Sequence, residues 1–428
     1  MSATASRRPS YAAALSVPHA RRTFAAALLA RLSYGVAPLA VMLAVTRATG
    51  SYTAAGVVMA LFGATVVLLS PYRAALVDRH GPRRTLTPMA LLHAGLLCTL
   101  AAASWRPGAP AAVLGALAAA AGACAPPLGP TMRVVWARLV GDGPLLHRAY
   151  SLDGVAEELL FVTGPLLVGA VIGVTSPAVG VLLGAALMAG GTLAFVTSPA
   201  VAVTGTEAGA RGASGEGPDR VGRSLPRSLV PPVVVAAGTG LALGAVDLMV
   251  VAFAAQRHAG DAAVTWVLAA LSAGSAVGGL VNGSVSWRLS ERRRLPLLAA
   301  ALGVTLIGAG AAPDTAVLAV AAACAGLFVA PALTTAYLIA HDCVPAEART
   351  RAGAWVNTAV NAGSSTGAAT AGLLVDRLPP GACFALAGCV ALAAALAAGC
   401  LFSSPRRPFP FPFPSQGARK VSRRRGRP

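Results

Sequence analysis

The chain has 428 residues, 56% of them apolar and only 11% charged, a balance too apolar for a soluble domain of this length. Its 34 basic residues against 15 acidic ones give a net charge of +19, which in a soluble domain would point to nucleic acid. The distribution of that charge excludes nucleic acid and points to a membrane. Of the 34 basic residues, 29 fall in the N-terminus, the tail and alternate gaps between apolar segments, while the other gaps hold only Arg47, Arg106, Arg257 and Arg377.

Twelve apolar helical spans are predicted in chain order, at 22–46, 51–72, 85–104, 110–131, 149–173, 177–197, 229–255, 264–286, 295–312, 314–340, 350–375 and 380–402. Each is near the ~20 residues a helix needs to cross the hydrocarbon of a bilayer. Basic residues stay on the cytoplasmic side, so both termini are expected there, in a multi-pass protein of the cell membrane. Arg21-Arg22 before the first span superficially matches a twin-arginine export signal. The span after it carries Arg31 and leads straight into a second, so it reads as a retained first helix.

The expected organisation is a cytoplasmic segment 1–21, a six-helix bundle 22–197, a polar cytoplasmic linker 198–228, a second six-helix bundle 229–403 and a basic, Pro-rich tail 404–428. The linker and tail are too polar to bury a core and are expected to be poorly ordered. A repeat relates the halves: Arg79, Arg83 and Arg84 match Arg288, Arg292 and Arg293 at one offset of 209. Duplicated six-helix halves with a site at the midplane between them are a recurrent transporter plan. Glycines spaced by four, such as Gly240/Gly244, Gly274/Gly278 and Gly363/Gly367, predict close helix packing. Trp105, Trp136, Trp266 and Trp287 fall near span ends, as interfacial anchors do. The seven cysteines show no CxxC pair and read as small buried hydrophobes, with no metal site expected.

Between spans two and three runs Ala74-Ala75-Leu76-Val77-Asp78-Arg79-His80-Gly81-Pro82-Arg83-Arg84. This stretch resembles the signature loop of the major facilitator superfamily, Gly-x-Leu-Ala-Asp-Arg-x-Gly-Arg-Lys, with Ala74 and Pro82 as departures. The six-plus-six layout extends the resemblance over residues 20–403. It implies an all-α fold of twelve transmembrane helices in two pseudo-symmetric bundles. It also implies that Asp78 faces the start of span eleven while Arg79, Gly81, Arg83 and Arg84 complete a gating loop. In span five, Gly164-Pro165 and Gly169 resemble part of the antiporter motif Gly-x-x-x-Gly-Pro-x-x-Gly-Gly of bacterial drug exporters, with Leu160 and Val168 replacing two glycines. A Gly-Pro pair bends a helix and frees a carbonyl, suiting a rocking interface.

Ionisable groups inside spans are costly and point to function. Arg31 lies nine residues past Arg22, roughly 14 Å into the membrane at 1.5 Å per residue. Glu157 and Glu158, counted from Arg148, and Asp247, counted back from Arg257, reach a similar depth. Asp153, five residues past Arg148, is expected near the inner interface. Arg31 is therefore expected to pair with Glu158 or Glu157, with Asp247 reaching toward the same cavity and Glu158 slightly favoured by the resemblance. Span four, bounded at 131, carries no charge. Asn357 and Asn361 make a polar stripe on span eleven suited to packing, and His93 reads as a hydrogen-bonded structural histidine.

The expected function is secondary transport by alternating access, in the form of proton-coupled efflux of small organic molecules by a monomer. No phosphate-binding loop, metal cluster or nucleophile constellation is legible, so no cofactor or enzymatic activity is expected. Import of a metabolite is the alternative within the class. A membrane-embedded lipid-modifying enzyme is the alternative outside it, and the short outer gaps leave it little room for a reaction site.

Overall fold

The computed structural model describes residues 10–201, 226–258, 261–285, 287–374 and 377–403. Most of the expected linker and all of the tail lie outside the described residues. Fourteen α-helices are present among the described residues: α1 (Tyr11–Ser16), α2 (Ala20–Thr49), α3 (Tyr52–His80), α4 (Pro82–Ala103), α5 (Ala111–Cys124), α6 (Leu128–Val140), α7 (Pro144–Ile172), α8 (Pro177–Val196), α9 (Val230–Gln256), α10 (Asp261–Ser284), α11 (Glu291–Ala309), α12 (Thr315–Asp342), α13 (Arg349–Leu374) and α14 (Pro380–Ser403). Among the described residues, ten candidate spans are long and apolar enough to cross a membrane, α5 and α6 counting as one. The basic start of α11 and the Asn/Ser/Thr content of α13 keep these two outside that measure, although they occupy the ninth and eleventh predicted spans.

Helix ends follow the local chemistry. The Ser51 and Asp314 side chains accept from the N–H groups of Ala54 and Val317, capping α3 and α12. Gly81 joins α3 to α4 at φ 84°, a conformation a side chain would strain. The fourth crossing departs from prediction. Pro126 and Pro127 cannot donate to a helix and push Ala125 into an extended conformation, so α5 stops at Cys124 and α6 restarts at Leu128. The restarted helix runs to Val140, nine residues beyond the predicted end of the span.

The same helix pairs pack in each half. In the first, α2 packs on α7 and α8, α3 on α5, and α4 on α5 and α8; in the second, α9 packs on α13 and α14, α10 on α12, and α11 on α12 and α14. Helices α10 and α11 begin 209 residues after α3 and α4, the offset of the arginine repeat. Small residues bring these pairs together. A Cβ on Gly164 would lie 2.5–2.8 Å from the Gly35 backbone, and Gly240, Gly244, Gly363 and Gly367 all face backbone across the α9–α13 crossing.

The apolar core shows where the halves meet. One cluster, including Phe24, Trp136, Tyr150, Phe195, Leu295 and Ile339, draws on both halves at the face that carries the termini. Toward the opposite face the core splits into a cluster of the first half alone and another of the second half alone. Trp136 is fully buried against Phe24, with ring centroids 5.3 Å apart, and so is no interfacial anchor; Trp105, Trp266 and Trp287 are exposed.

Candidate functional site: a central cavity over a buried ion cluster

Between the halves lies a cavity of about 460 Å³, within the usual range for small-molecule sites. Among the described residues, all of its charged lining, Arg73, Arg133, Glu157 and Glu158, comes from the first half. The second half contributes uncharged residues, among them Leu243, Leu333, Thr334, Tyr337, Asn357 and Asn361.

Beneath the cavity Arg31 and Arg133 share two carboxylates. Arg31 donates to Asp153 at 2.6 Å and reaches Glu157 at 2.9 Å; Arg133 lies 3.2 Å from Asp153 and 2.8 Å from Glu157. Arg31 and Asp153 are fully buried, whereas the Glu157 side chain is 25% exposed toward the cavity. Two cations and two anions at contact distance balance at a depth where a lone charge would be costly.

Of the two expected partners Arg31 takes Glu157, and the expected arrangement is otherwise corrected in three respects. Asp153 is a central partner and not an interfacial residue. Side chains lean toward the N-terminus of their helix, and α2 and α7 both start at the terminus-bearing face, so Arg31 reaches down to Asp153. Glu158 does not pair with Arg31. It lies ~100° around the helix from Glu157 and instead accepts a hydrogen bond from Ser275 of α10 at 3.0 Å. Asp247 is exposed on α9, one turn beyond Leu243, and makes no ion pair among the described residues. The fourth crossing does carry an arginine: Arg133 lies beyond the boundary at 131 and inside α6.

Arg73, which the predicted span boundary at 72 places among the loop arginines, lies inside the protein. Helix α3 continues to His80, and Arg73 is 5% exposed on the cavity wall. Its guanidinium donates to the Gly122 carbonyl, to that of Ala123 at 3.1 Å and to that of Val66 at 2.5 Å. It thereby caps the interrupted helix α5. Tyr34 holds the same break, donating to the Pro126 carbonyl at 2.6 Å. His93 Nδ1 lies 2.7 Å from the Ala121 carbonyl, a packing contact at the cavity edge.

Contacts across the halves cluster on the terminus-bearing face. The Asp78 carboxylate accepts from the N–H groups of Thr350 at 3.2 Å and Arg351 at 2.8 Å, at the start of α13. A helix N-terminus favours such a carboxylate. Arg79, Arg83 and Arg84 are exposed and make no ion pair with the described residues, so the carboxylate and not these arginines forms the contact. Between α7 and α10, His147 Nε2 meets the Asn282 carbonyl at 2.8 Å and Arg148 donates to Ser284 at 3.1 Å. Nearer the midplane the Arg133 guanidinium stacks on Tyr337 of α12 at 3.6 Å. Of the motif in α7, Gly164 marks the crossing with α2, whereas a Cβ on Gly169 would meet only open space.

The Major Facilitator Superfamily model matches residues 232–426. That match covers the second six-helix half and most of the tail. Its fold is similar to the human organic anion transporter MFSD10 (TETRAN), with 18% identity, TM-score 0.65 and coverage of 89% of this chain and 99% of that one. It is also similar to a bacterial homologue of the iron transporter ferroportin in an outward-facing state (15%, 0.64, 89% and 98%). A variant of the Escherichia coli fucose:proton symporter matches at 13% identity and TM-score 0.60, with coverage of 90% and 99%. No curated protein matches the chain. The shared fold and the helices long and apolar enough to cross a membrane fit a multi-pass membrane protein.

Proposed function

We propose that the chain is a proton-coupled secondary transporter that exports small organic molecules by alternating access, with cytoplasmic termini. On that orientation the cavity is closed toward the cytoplasm by the shared core cluster, Asp78 and the α7–α10 contacts, while the split core lies on the outer side. Transport then requires these contacts to break and the two outer clusters to meet. A gate held by a few hydrogen bonds, each worth about 1–3 kcal/mol, can be exchanged for others during a cycle.

One observation carries the coupling. Glu158 lines the cavity with no cation beside it among the described residues, and its hydrogen-bond donor, Ser275, belongs to the other half. Rocking the halves changes that partner, so the conformational change and the protonation of Glu158 act on each other. The neutral Arg31–Arg133–Asp153–Glu157 cluster serves as the fixed floor. Because Arg133 also stacks on Tyr337, the floor senses the position of the second half.

The test uses purified protein in liposomes, with a substrate found by screening compounds for ligand-induced thermal stabilisation. An imposed pH gradient should drive accumulation in the sense expected for antiport by wild type and not by Glu158→Gln. Gradient-independent exchange should survive in the variant. Normal gradient-driven accumulation by Glu158→Gln would remove this residue from coupling, and uptake with the proton gradient would turn the exporter into an importer.

A further inference from the structure

The interrupted fourth crossing contains polar groups that neither the gate nor the ion cluster uses. Helix α6, 13 residues long, begins inside the cavity wall, where Pro126, Pro127, Gly129 and Pro130 all line the space. Its first turn has few N–H groups to offer, because prolines supply none. The Leu128 N–H donates to Pro126 at 2.9 Å and the Thr131 N–H to Pro127 at 3.2 Å. Gly129 keeps its N–H without an acceptor among the described residues, one of the orphan donors at a helix start, where the dipole favours negative charge.

One turn on, Arg133 presents a second unused donor. Its Nε and Nη2 are engaged by Asp153 and Glu157, but Nη1 is buried without a partner in a side chain only 5% exposed. A Cβ on residue 129 would stand 3.6 Å from that nitrogen, so a methyl group there would lie against Nη1. Arg73 adds a fixed guanidinium to the same cavity; carbonyl oxygens hold its tip and no carboxylate lies beside it. Facing these groups, the second half offers Leu243, Ala330, Leu333 and Val360 and no charge among the described residues.

We infer that the break between α5 and α6 is an anion seat, in which the Gly129 N–H and Arg133 Nη1 hold the carboxylate of a small amphiphilic substrate while the second half packs its apolar body. This deepens the reading of the cavity as the transport site and depends on it. Half-helix N-termini at the bilayer midplane serve anionic groups well, because the donors are already oriented and need no reorganisation on binding. Glu157 does not compete for the seat, being held by two guanidiniums, and Glu158 is turned to Ser275.

The experiment compares three probes of one shape, 3-phenylpropionate, 3-phenylpropylamine and 3-phenylpropanol. Full-length protein in lipid nanodiscs is titrated calorimetrically with each, and thermal stabilisation is followed in parallel. The carboxylate should bind at least about tenfold more tightly than the amine or the alcohol, the worth of one charge-assisted hydrogen bond or more. Gly129→Ala, which keeps the helix and the ion cluster, should lose most of that preference while binding the alcohol as wild type does. Equal or tighter binding of the amine or alcohol, absent carboxylate binding, or an unchanged preference in Gly129→Ala would each overturn the anion seat. Binding of the alcohol or amine, together with its gradient-driven transport, would leave the transport site standing without the anion seat, so the two readings fail separately.

Discussion

Replacing Asp153 by Asn tests the buried cluster most directly. The substitution keeps the shape and removes one of two anions that face Arg31 at 2.6 Å and Arg133 at 3.2 Å. With charge centres about 4 Å apart and an effective dielectric of about 20, each lost attraction is worth about 4 kcal/mol before desolvation is counted. The arginines stay buried with Glu157 as their single anion, and breaking such a pair costs about 3–5 kcal/mol net. Glu157→Gln should cost less, because that side chain is 25% exposed and water can replace part of the charge. Glu158→Gln should stay within about 0.5 kcal/mol, since an amide oxygen can still accept from Ser275. The assay is thermal unfolding of the purified variants in nanodiscs, followed by tryptophan fluorescence and size-exclusion recovery. Asp153→Asn should have the lowest midpoint of the three. Adding Arg133→Gln to Asp153→Asn restores neutrality and should recover part of the loss, a positive coupling in a double-mutant cycle. Wild-type stability of Asp153→Asn, or strictly additive losses in the double variant, would refute the cluster as a mutually compensating set.

Cysteines at Pro130 and Gly353, whose Cβ positions put the side chains about 3.4 Å apart, should cross-link in a cysteine-free background and block transport until reduced. Asp78→Ala removes two charge-assisted bonds to α13 and should cut that cross-linking rate about tenfold or more; an unchanged rate would show that Asp78 does not hold the gate. Gly164→Ala should destabilise by about 1–3 kcal/mol through its clash with Gly35, whereas Gly169→Ala should unfold with wild type, and the same thermal assay reads both. Burial pushes the Tyr11 phenol above its usual range, with Arg148 pulling it back, so Tyr11 stays a donor to the Leu280 carbonyl at neutral pH. Tyr11→Phe should loosen the α7–α10 seam, seen as faster amide exchange around Leu280, and unchanged exchange would dismiss that contact.

The spans are legible in the sequence because a bilayer leaves the backbone no choice but helix. Asp78 is legible through the resemblance of its loop to the signature loop, which implies a partner at the start of span eleven, and the start of α13 supplies one. Asp153 escapes a count of depth along the backbone, because an arginine side chain covers more than a helical turn and leans toward its own N-terminus. Trp136 looks interfacial only when the fourth span ends at 131, which puts a buried residue at an apparent boundary.

The two arginines that line the cavity are hidden for a related reason. Arg73 and Arg133 lie where positive-inside arginines lie, at the terminus-bearing ends of spans, and a count of basic residues cannot tell them from Arg79, Arg83 or Arg84. The residues just after each arginine do distinguish them. Arg73 precedes Ala74-Ala75-Leu76-Val77 and Arg133 precedes Val134-Val135-Trp136-Ala137, apolar runs that carry the helix a further turn and keep the guanidinium inside the protein. Arg79, by contrast, precedes His80 and Gly81, where α3 ends, and Arg83 and Arg84 open the next helix at its exposed end. An arginine flanked by apolar residues on both sides must find internal acceptors. Arg73 finds the carbonyls of a helix broken by two prolines, and Arg133 finds Asp153 and Glu157. The same broken helix therefore uses one guanidinium as its cap and leaves a buried donor of the other without an acceptor, which ties the proline pair at 126–127 to the chemistry of the site.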